Sequence, residues 1–309
     1  MTGTVIRNTG SWYVVRTGDG QLFNCKVKGN FRLKGIRSTN PVAVGDVVDI
    51  SPGADTAFIT AIHDRRNYVI RKASNLSKQS HIIAANVDQA VLVVTLRHPE
   101  TNTTFIDRFL ASAEAYRIPV LLVFNKVDLL DEDGMKQLND ISRLYQGLGY
   151  ACYAVSAIHS QLSTLHEALS GKTTLFSGNS GVGKSTLLNA LIPGIEAKTA
   201  EISASHDTGM HTTTFSEMFD LPDTTGAIID TPGIKGFGTF DIEPEEVSHY
   251  FREIFTLSRS CRFGNCTHTH EPGCAVLAAL EQGRIAASRY QSYLSMMQDK
   301  DDGKYRAAF

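Results

Sequence analysis

Long hydrophobic runs are missing from this 309-residue sequence. The strongest, Val91–Leu96 and Val120–Phe124, fall far short of the ~18 apolar residues a membrane span requires, so no transmembrane protein is expected. The first residues, Met1-Thr2-Gly3-Thr4-Val5-Ile6-Arg7, lack the basic-then-apolar order of a secretory signal. The expectation is therefore a cytoplasmic protein whose thiols stay reduced. Glycine and proline are modest at 25 and 9 residues, and there is no internal repeat or low-complexity segment, which excludes collagenous and disordered classes. At roughly 100–200 residues per domain the length allows two or three domains, so a peptide hormone or a single small module is excluded. Net charge is also scarce, at −2, but that figure hides an asymmetry. Residues 1–80 carry 12 Lys and Arg against 5 Asp and Glu, while the remainder carries 18 against 27. The basic end points to an anionic partner, nucleic acid before membrane.

That basic end reads as short strands at Thr4–Ile6, Trp12–Arg16, Gln21–Lys26, Val47–Ile50 and Phe58–Ile62, separated by turn signals such as Gly18-Asp19-Gly20 and Ser51-Pro52-Gly53. This spacing predicts a five-stranded barrel of the oligonucleotide-binding (OB) type. Lys26, Lys28, Arg32, Lys34 and Arg37 cluster with Phe23 and Phe31, offering phosphate contacts beside stacking surfaces. The alternative is a structural barrel with a solvated charged face.

From about Asn86 the pattern alternates apolar strand and amphipathic helix, with strands at Gln89–Leu96, Ile118–Phe124, Ala151–Val155 and Lys172–Ser177. This predicts a doubly wound parallel α/β domain. Gly178-Asn179-Ser180-Gly181-Val182-Gly183-Lys184-Ser185 fits G-x-x-x-x-G-K-[ST] between the strand Thr174–Phe176 and the helical stretch Ser185–Leu191. In that context backbone N–H groups, extending to Thr186, cradle phosphates, Lys184 reaches the β- and γ-phosphates, and the Ser185 hydroxyl ligates Mg²⁺. Asn125-Lys126-Val127-Asp128 follows the strand Ile118–Phe124, at the carboxyl edge where open α/β sheets bind ligands. The Asp128 carboxylate can accept two parallel hydrogen bonds from guanine N1–H and N2–H₂, which adenine cannot offer. Ser156 and Ala157, just after the next strand, stand where a loop closes over the guanine.

Asp230-Thr231-Pro232-Gly233 fits D-x-x-G, with Asp230 toward the Mg²⁺ shell and the Gly233 N–H toward the γ-phosphate. Of Thr212-Thr213-Thr214, Thr213 is the favoured second Mg²⁺ ligand and Thr212 the alternative. Ile234 occupies the place where Ras-like enzymes carry the glutamine that orients water. His211 is a candidate for that role, its other reading being a solvent-exposed loop histidine.

The last segment holds Cys261-x4-Cys266-x-His268-x5-Cys274. With reduced thiols this predicts a structural tetrahedral Cys₃His zinc site, His270 being an alternative fourth ligand. Cys25 and Cys152 read as buried small hydrophobes. Glu245–Leu257 and Ala275–Met297 read as helices of a domain too small to hold a core without its metal.

In an ordinary GTPase the phosphate loop precedes the guanine loop; here the guanine loop at 125 comes before the phosphate loop at 178, so the order is circularly permuted. With the barrel, the cysteine cluster, Asn86-Val87-Asp88-Gln89 and Asp107-Arg108-Phe109-Leu110, the arrangement resembles the RsgA (YjeQ, EngC) family of small-ribosomal-subunit biogenesis GTPases over essentially the whole chain. The resemblance implies an OB-type barrel over residues 1–70, a permuted α/β GTPase domain over 71–238 and a mainly helical zinc-binding domain over 239–309. It favours His268 as the fourth zinc ligand. It also implies GTP and GDP as ligands, one zinc, Mg²⁺ with GTP, and the small ribosomal subunit and its rRNA as partners of a monomer with no membrane contact, acting late in subunit maturation. The family typically has Gly-Arg-His before the threonines; Gly209-Met210-His211 lacks that arginine. Because the D-x-x-G loop runs into the zinc segment, movement of Gly233–Gly238 on hydrolysis would be passed covalently to a second module. Two readings compete: an RNA-binding protein holding GTP as a structural ligand, and a GTPase switch with a non-ribosomal protein partner.

Overall fold

In the computed structural model, the structure describes residues 1–27, 41–53, 56–72, 80–159, 162–195, 216–231 and 242–298. Strands β1 (Thr2–Asn8), β2 (Tyr13–Thr17), β3 (Leu22–Val27), β4 (Val47–Ser51) and β5 (Ala57–Ile62) pair in the order β1-β2-β3-β5-β4, and β4 returns to β1. The barrel is thereby closed, with β3 and β5 parallel, as the OB-type barrel requires. Alternate residues point inward, and Val5, Val15, Cys25, Val48 and Ile59 are fully buried. Asp46 closes the barrel's end: its carboxylate accepts from Ala43 N–H and takes a bidentate pair from Arg65 at 2.6 Å. A separate antiparallel pair, β6 (Tyr68–Lys72) and β7 (Ser80–Ala85), follows; the sequence pattern did not single it out.

The central sheet consists of β8 (Gln89–Val94), β9 (Val120–Phe124), β10 (Ala151–Ala154), β11 (Thr173–Gly178), β12 (Glu217–Asp220) and β13 (Ala227–Asp230), ordered β10-β9-β8-β11-β13-β12. All neighbours are parallel except β12, which runs antiparallel to β13. The expected doubly wound parallel α/β domain is present, with one antiparallel edge strand where the short Leu221–Gly226 connection can join only antiparallel strands. Helices α1 (Thr103–Ala115) and α2 (Glu132–Gly147) cover one face, α3 (Ser163–Leu169) and α4 (Lys184–Leu191) the other. Along β8 the period of two is visible: Leu92 and Val94 enter the first core, Val91 and Val93 the second. The barrel joins this sheet through β1 and β12, where Arg7 stands opposite Glu217 and pairs with it.

The C-terminal region has a 3-10 helix, Pro244–Tyr250, then α5 (Arg252–Ser258), α6 (Ala275–Glu281) and α7 (Ala287–Met297). Both long helices expected here are interrupted. Phe251 adopts extended backbone and buries its ring edge-on against Tyr293 at 5.7 Å, which separates the 3-10 helix from α5. Gly283, left-handed at φ 69°, ends α6 and lets Ile285 turn inward before α7. Arg289 of α7 donates to Asp107 of α1 at 2.8 Å and to Glu253 of α5 at 2.6 Å, with Arg289 and Asp107 buried and Glu253 half-buried. This region is therefore clamped to the central domain. No helix among the described residues is long and apolar enough to cross a membrane.

Candidate functional site

β11 ends at Gly178, and the chain turns through Asn179–Val182 to Gly183, whose φ of 87° caps α4. A Cβ at Gly183 would lie 2.4 Å from Asn125 Nδ2, so a side chain is excluded both by conformation and by space. The first N–H groups of α4, on Lys184, Ser185 and Thr186, lack intrahelical acceptors and face the loop, as an anion site requires. Asp230 ends β13, the parallel neighbour of β11, and its carboxylate lies 3.7 Å from Lys184 Nζ. Burial holds the Asp230 carboxyl above its ordinary value, an effect the Lys184 ammonium offsets only in part. Asp230 Oδ1 and the hydroxyls of Thr231, Ser177 and Ser156 are buried without a hydrogen-bond partner among the described residues. Such oxygens, without hydrogen-bond partners and at the carboxyl ends of strands of one sheet, suit a hard cation and a polyoxyanion. Sequence reasoning passed over Ser177 and Thr231; each adjoins a motif residue, Gly178 and Asp230, and that adjacency was the available signal.

The guanine loop is tied to this cradle. Asn125, buried at the end of β9, donates through Nδ2 to Val182 O at 2.9 Å and accepts from Ala157 N–H at 3.1 Å. Phosphate loop, N-K-x-D loop and Ser-Ala loop thus meet through one side chain. Lys126 follows with φ 61°, and Asp128 stands exposed on the short 3-10 helix Val127–Leu129. His211, Thr212, Thr213, Thr214, Gly233 and Ile234 lie outside the described residues.

Cys261, Cys266, His268 and Cys274 offer four ligand atoms within 4.8 Å of one another. Cys261 Sγ and Cys274 Sγ are 3.9 Å apart, and they lie 3.6 and 3.5 Å from His268 Nδ1. A tetrahedral centre with bonds of about 2.3 Å to sulfur and about 2.0 Å to nitrogen sets its ligands roughly 3.5–3.8 Å apart. The set fits such an ion, with Nδ1 as the nitrogen donor. His270 is exposed and bonds to Thr269 instead. Glu271 shapes the loop: its carboxylate accepts from Thr267 N–H and Oγ1 and from the Thr269 and His270 N–H groups. Burial alone would push the Glu271 carboxyl up, yet hydrogen bonds from Thr267 and the neighbouring backbone hold it below the usual carboxylate range. The Tyr290 and Tyr293 hydroxyls of α7 hold the His268 and Thr267 carbonyls at 2.7 Å.

On the barrel, Phe23 packs against the core and is not the free stacking surface expected. Among the described residues Trp12 and Phe58 are exposed, 41% and 38% accessible, and Lys26 Nζ sits 4.2 Å over Trp12. Lys28, Phe31, Arg32, Lys34 and Arg37 lie outside the described residues.

Residues 2–59 match the family model described as RsgA N-terminal domain and residues 62–240 the one described as RsgA GTPase. The chain is 65% identical over 311 residues to the small ribosomal subunit biogenesis GTPase RsgA of Bacteroides fragilis, with 100% of each chain covered. It is 59% identical to the protein of that name from Porphyromonas gingivalis, again with 100% of each covered. Its fold is similar to that of YjeQ from Thermotoga maritima, with a TM-score of 0.76, 36% identity and 96% of each chain covered. It is also similar to YloQ, described as a circularly permuted GTPase, with a TM-score of 0.74, 32% identity and coverage of 99% of this chain and 96% of that one. A closed barrel, a guanine loop that precedes the phosphate loop, and full-length similarity agree: the chain belongs to the RsgA family of circularly permuted GTPases, hydrolases acting on GTP.

Proposed function

We propose that this GTPase binds the small ribosomal subunit and assists a late step of its maturation, with hydrolysis stimulated by the subunit. The observation that carries the reading is full-length similarity to proteins named for small-subunit biogenesis, joined to a cradle whose phosphate and guanine loops are already braced through Asn125. The Gly178–Thr186 segment holds the phosphates, with Lys184 on the β- and γ-phosphates. Asn125, Lys126, Asp128, Ser156 and Ala157 hold the guanine. Ser185, Thr213 and Asp230 would hold Mg²⁺, which would supply charge neutralisation at the phosphates; an Asp230 Oδ1 without a hydrogen-bond partner among the described residues favours that role. Gly233 senses the γ-phosphate through its N–H, and His211 positions the attacking water. Zinc is the structural ion of Cys261, Cys266, His268 and Cys274, because thiolate and imidazole suit it and all four positions are protein-filled.

The domains run 1–70, 71–238 and 239–309, and the barrel contacts rRNA. Support comes from the exposed Trp12 and Phe58 rings with the Lys26 ammonium at hand, since single-stranded nucleic acid is held by aromatic side chains beside cationic ones. The protein acts as a cytoplasmic monomer, without a membrane. Co-sedimentation with purified small subunits tests the reading. The protein with a non-hydrolysable GTP analogue should pellet with the subunit and should release when GDP replaces it; failure to pellet in either state would contradict it.

A further inference from the structure

The guanine and phosphate loops are braced against each other from a second side, by a part of the chain outside both motifs. Residues 95–101, between β8 and α1, form a strap whose neck is closed by two threonines. Thr101 N–H donates to Thr95 O at 2.8 Å, and Thr95 N–H to Thr101 Oγ1 at 3.2 Å. Within the neck the Thr95 hydroxyl donates to Pro99 O at 2.5 Å. Thr95 is fully buried and Thr101 nearly so. The tip is therefore placed by buried hydrogen bonds, although His98, Pro99 and Glu100 are themselves exposed.

That tip bonds to the guanine loop and lies beside the phosphate loop. His98 O accepts from Lys126 Nζ at 2.5 Å, and a Cβ added to Gly181 would meet Pro99 Cδ at 3.4 Å. His98 holds a left-handed φ of 51° to present its carbonyl. Lysine loses much rotamer freedom when ordered. Fixing Lys126 during folding removes that cost from nucleotide binding.

We propose that the strap is a nucleotide-positioning element. Thr95 is a positioning residue that acts through Pro99 and His98 to hold Lys126 and the tip of the phosphate loop, and so sets how long guanine nucleotide stays bound. This rests on the reading of those two loops as the nucleotide site.

The test is dissociation of a fluorescent GDP from the full-length protein, with steady-state kinetics alongside. Thr95→Val removes the hydroxyl donor at nearly constant volume. It should speed dissociation and raise the KM for GTP roughly three- to tenfold, with kcat at saturating GTP unchanged. Thr95→Ser restores the donor and should restore both values. On a Lys126→Met background Thr95→Val should add much less, because the two act in series. Thr101→Ala, which removes the acceptor for Thr95 N–H, should show the same pattern and serves if Thr95→Val fails to fold. Unchanged dissociation in both variants, failure of serine to rescue, a fall in kcat, or full additivity with Lys126→Met would overturn the proposal. Wild-type protein that retained no GDP would overturn the nucleotide-site reading instead.

Discussion

Asn125 and Asp128 sit three residues apart and do opposite work. Asn125 is 4% exposed and spends its amide on Val182 and Ala157; Asp128 is exposed on its 3-10 turn, free to meet a base. Asp128→Asn should therefore lose GTP and gain xanthosine triphosphate, since an amide donor meets the xanthine 2-oxo group but not the guanine amine. Losing two charge-assisted hydrogen bonds should weaken GTP about a hundredfold or more, read by competition binding; unchanged GTP affinity would remove Asp128 from the base site. Residues of this kind can be nominated from sequence because phosphate and guanine recognition demand fixed residue types at fixed spacing. The barrel aromatics were read less well. Phe23 and Cys25 are two apart on β3 and share its inward face, so Phe23 joins the core. Pairing of Tyr13 with Cys25 sets Trp12 beside Lys26, a neighbour relation that only strand register provides.

Among elements, the metal loop depends on parts far from it in sequence. The spacing pointed to three cysteines with His268 or His270, and the resemblance favoured His268, but neither showed that Glu271 gathers three N–H groups and a hydroxyl to shape the turn, nor that α7 holds the loop carbonyls. A glutamine at 271 would keep one acceptor oxygen and place an amide donor against N–H groups. Glu271→Gln should therefore cut zinc retention about ten- to a hundredfold, measured by competition with a chelator; retention equal to wild type would make the carboxylate dispensable. The depressed carboxyl adds a sign. Its contribution is present above the ordinary glutamate value of about 4.3 and is lost as pH falls through its lower folded value. The broken helices were illegible for a different reason: both interruptions bury a side chain, Phe251 or Ile285, in a core assembled by tertiary contact, which overrides local helical periodicity.

In the whole molecule, one continuous sheet links barrel and GTPase domain, and buried charges link the GTPase domain to the metal-binding region. Burial pushes the Asp107 carboxyl up, and Arg289 beside it pulls it down; Arg252 adds a second tie, to Glu114 and over Tyr150. A rearrangement at the D-x-x-G loop would thus reach a module already clamped to α1 rather than a free pendant. The permuted motif order was readable from residue numbers alone, whereas this clamp, which joins Asp107 to Arg289, has no local sequence signal.

The central claim is that a GTPase with an aliphatic residue, Ile234, in place of the water-orienting glutamine relies on the small subunit to complete its site. Steady-state GTP turnover with and without purified small subunits tests it most directly. The account predicts slow turnover by the free protein, a rise in kcat of about a hundredfold on adding subunits, as for gaining a missing transition-state contact, and a much smaller change in GTP affinity. It also predicts that His211→Ala binds GTP normally yet is stimulated poorly. Free protein that already turns over as fast as the subunit-bound form would contradict both the missing-glutamine argument and the ribosomal assignment.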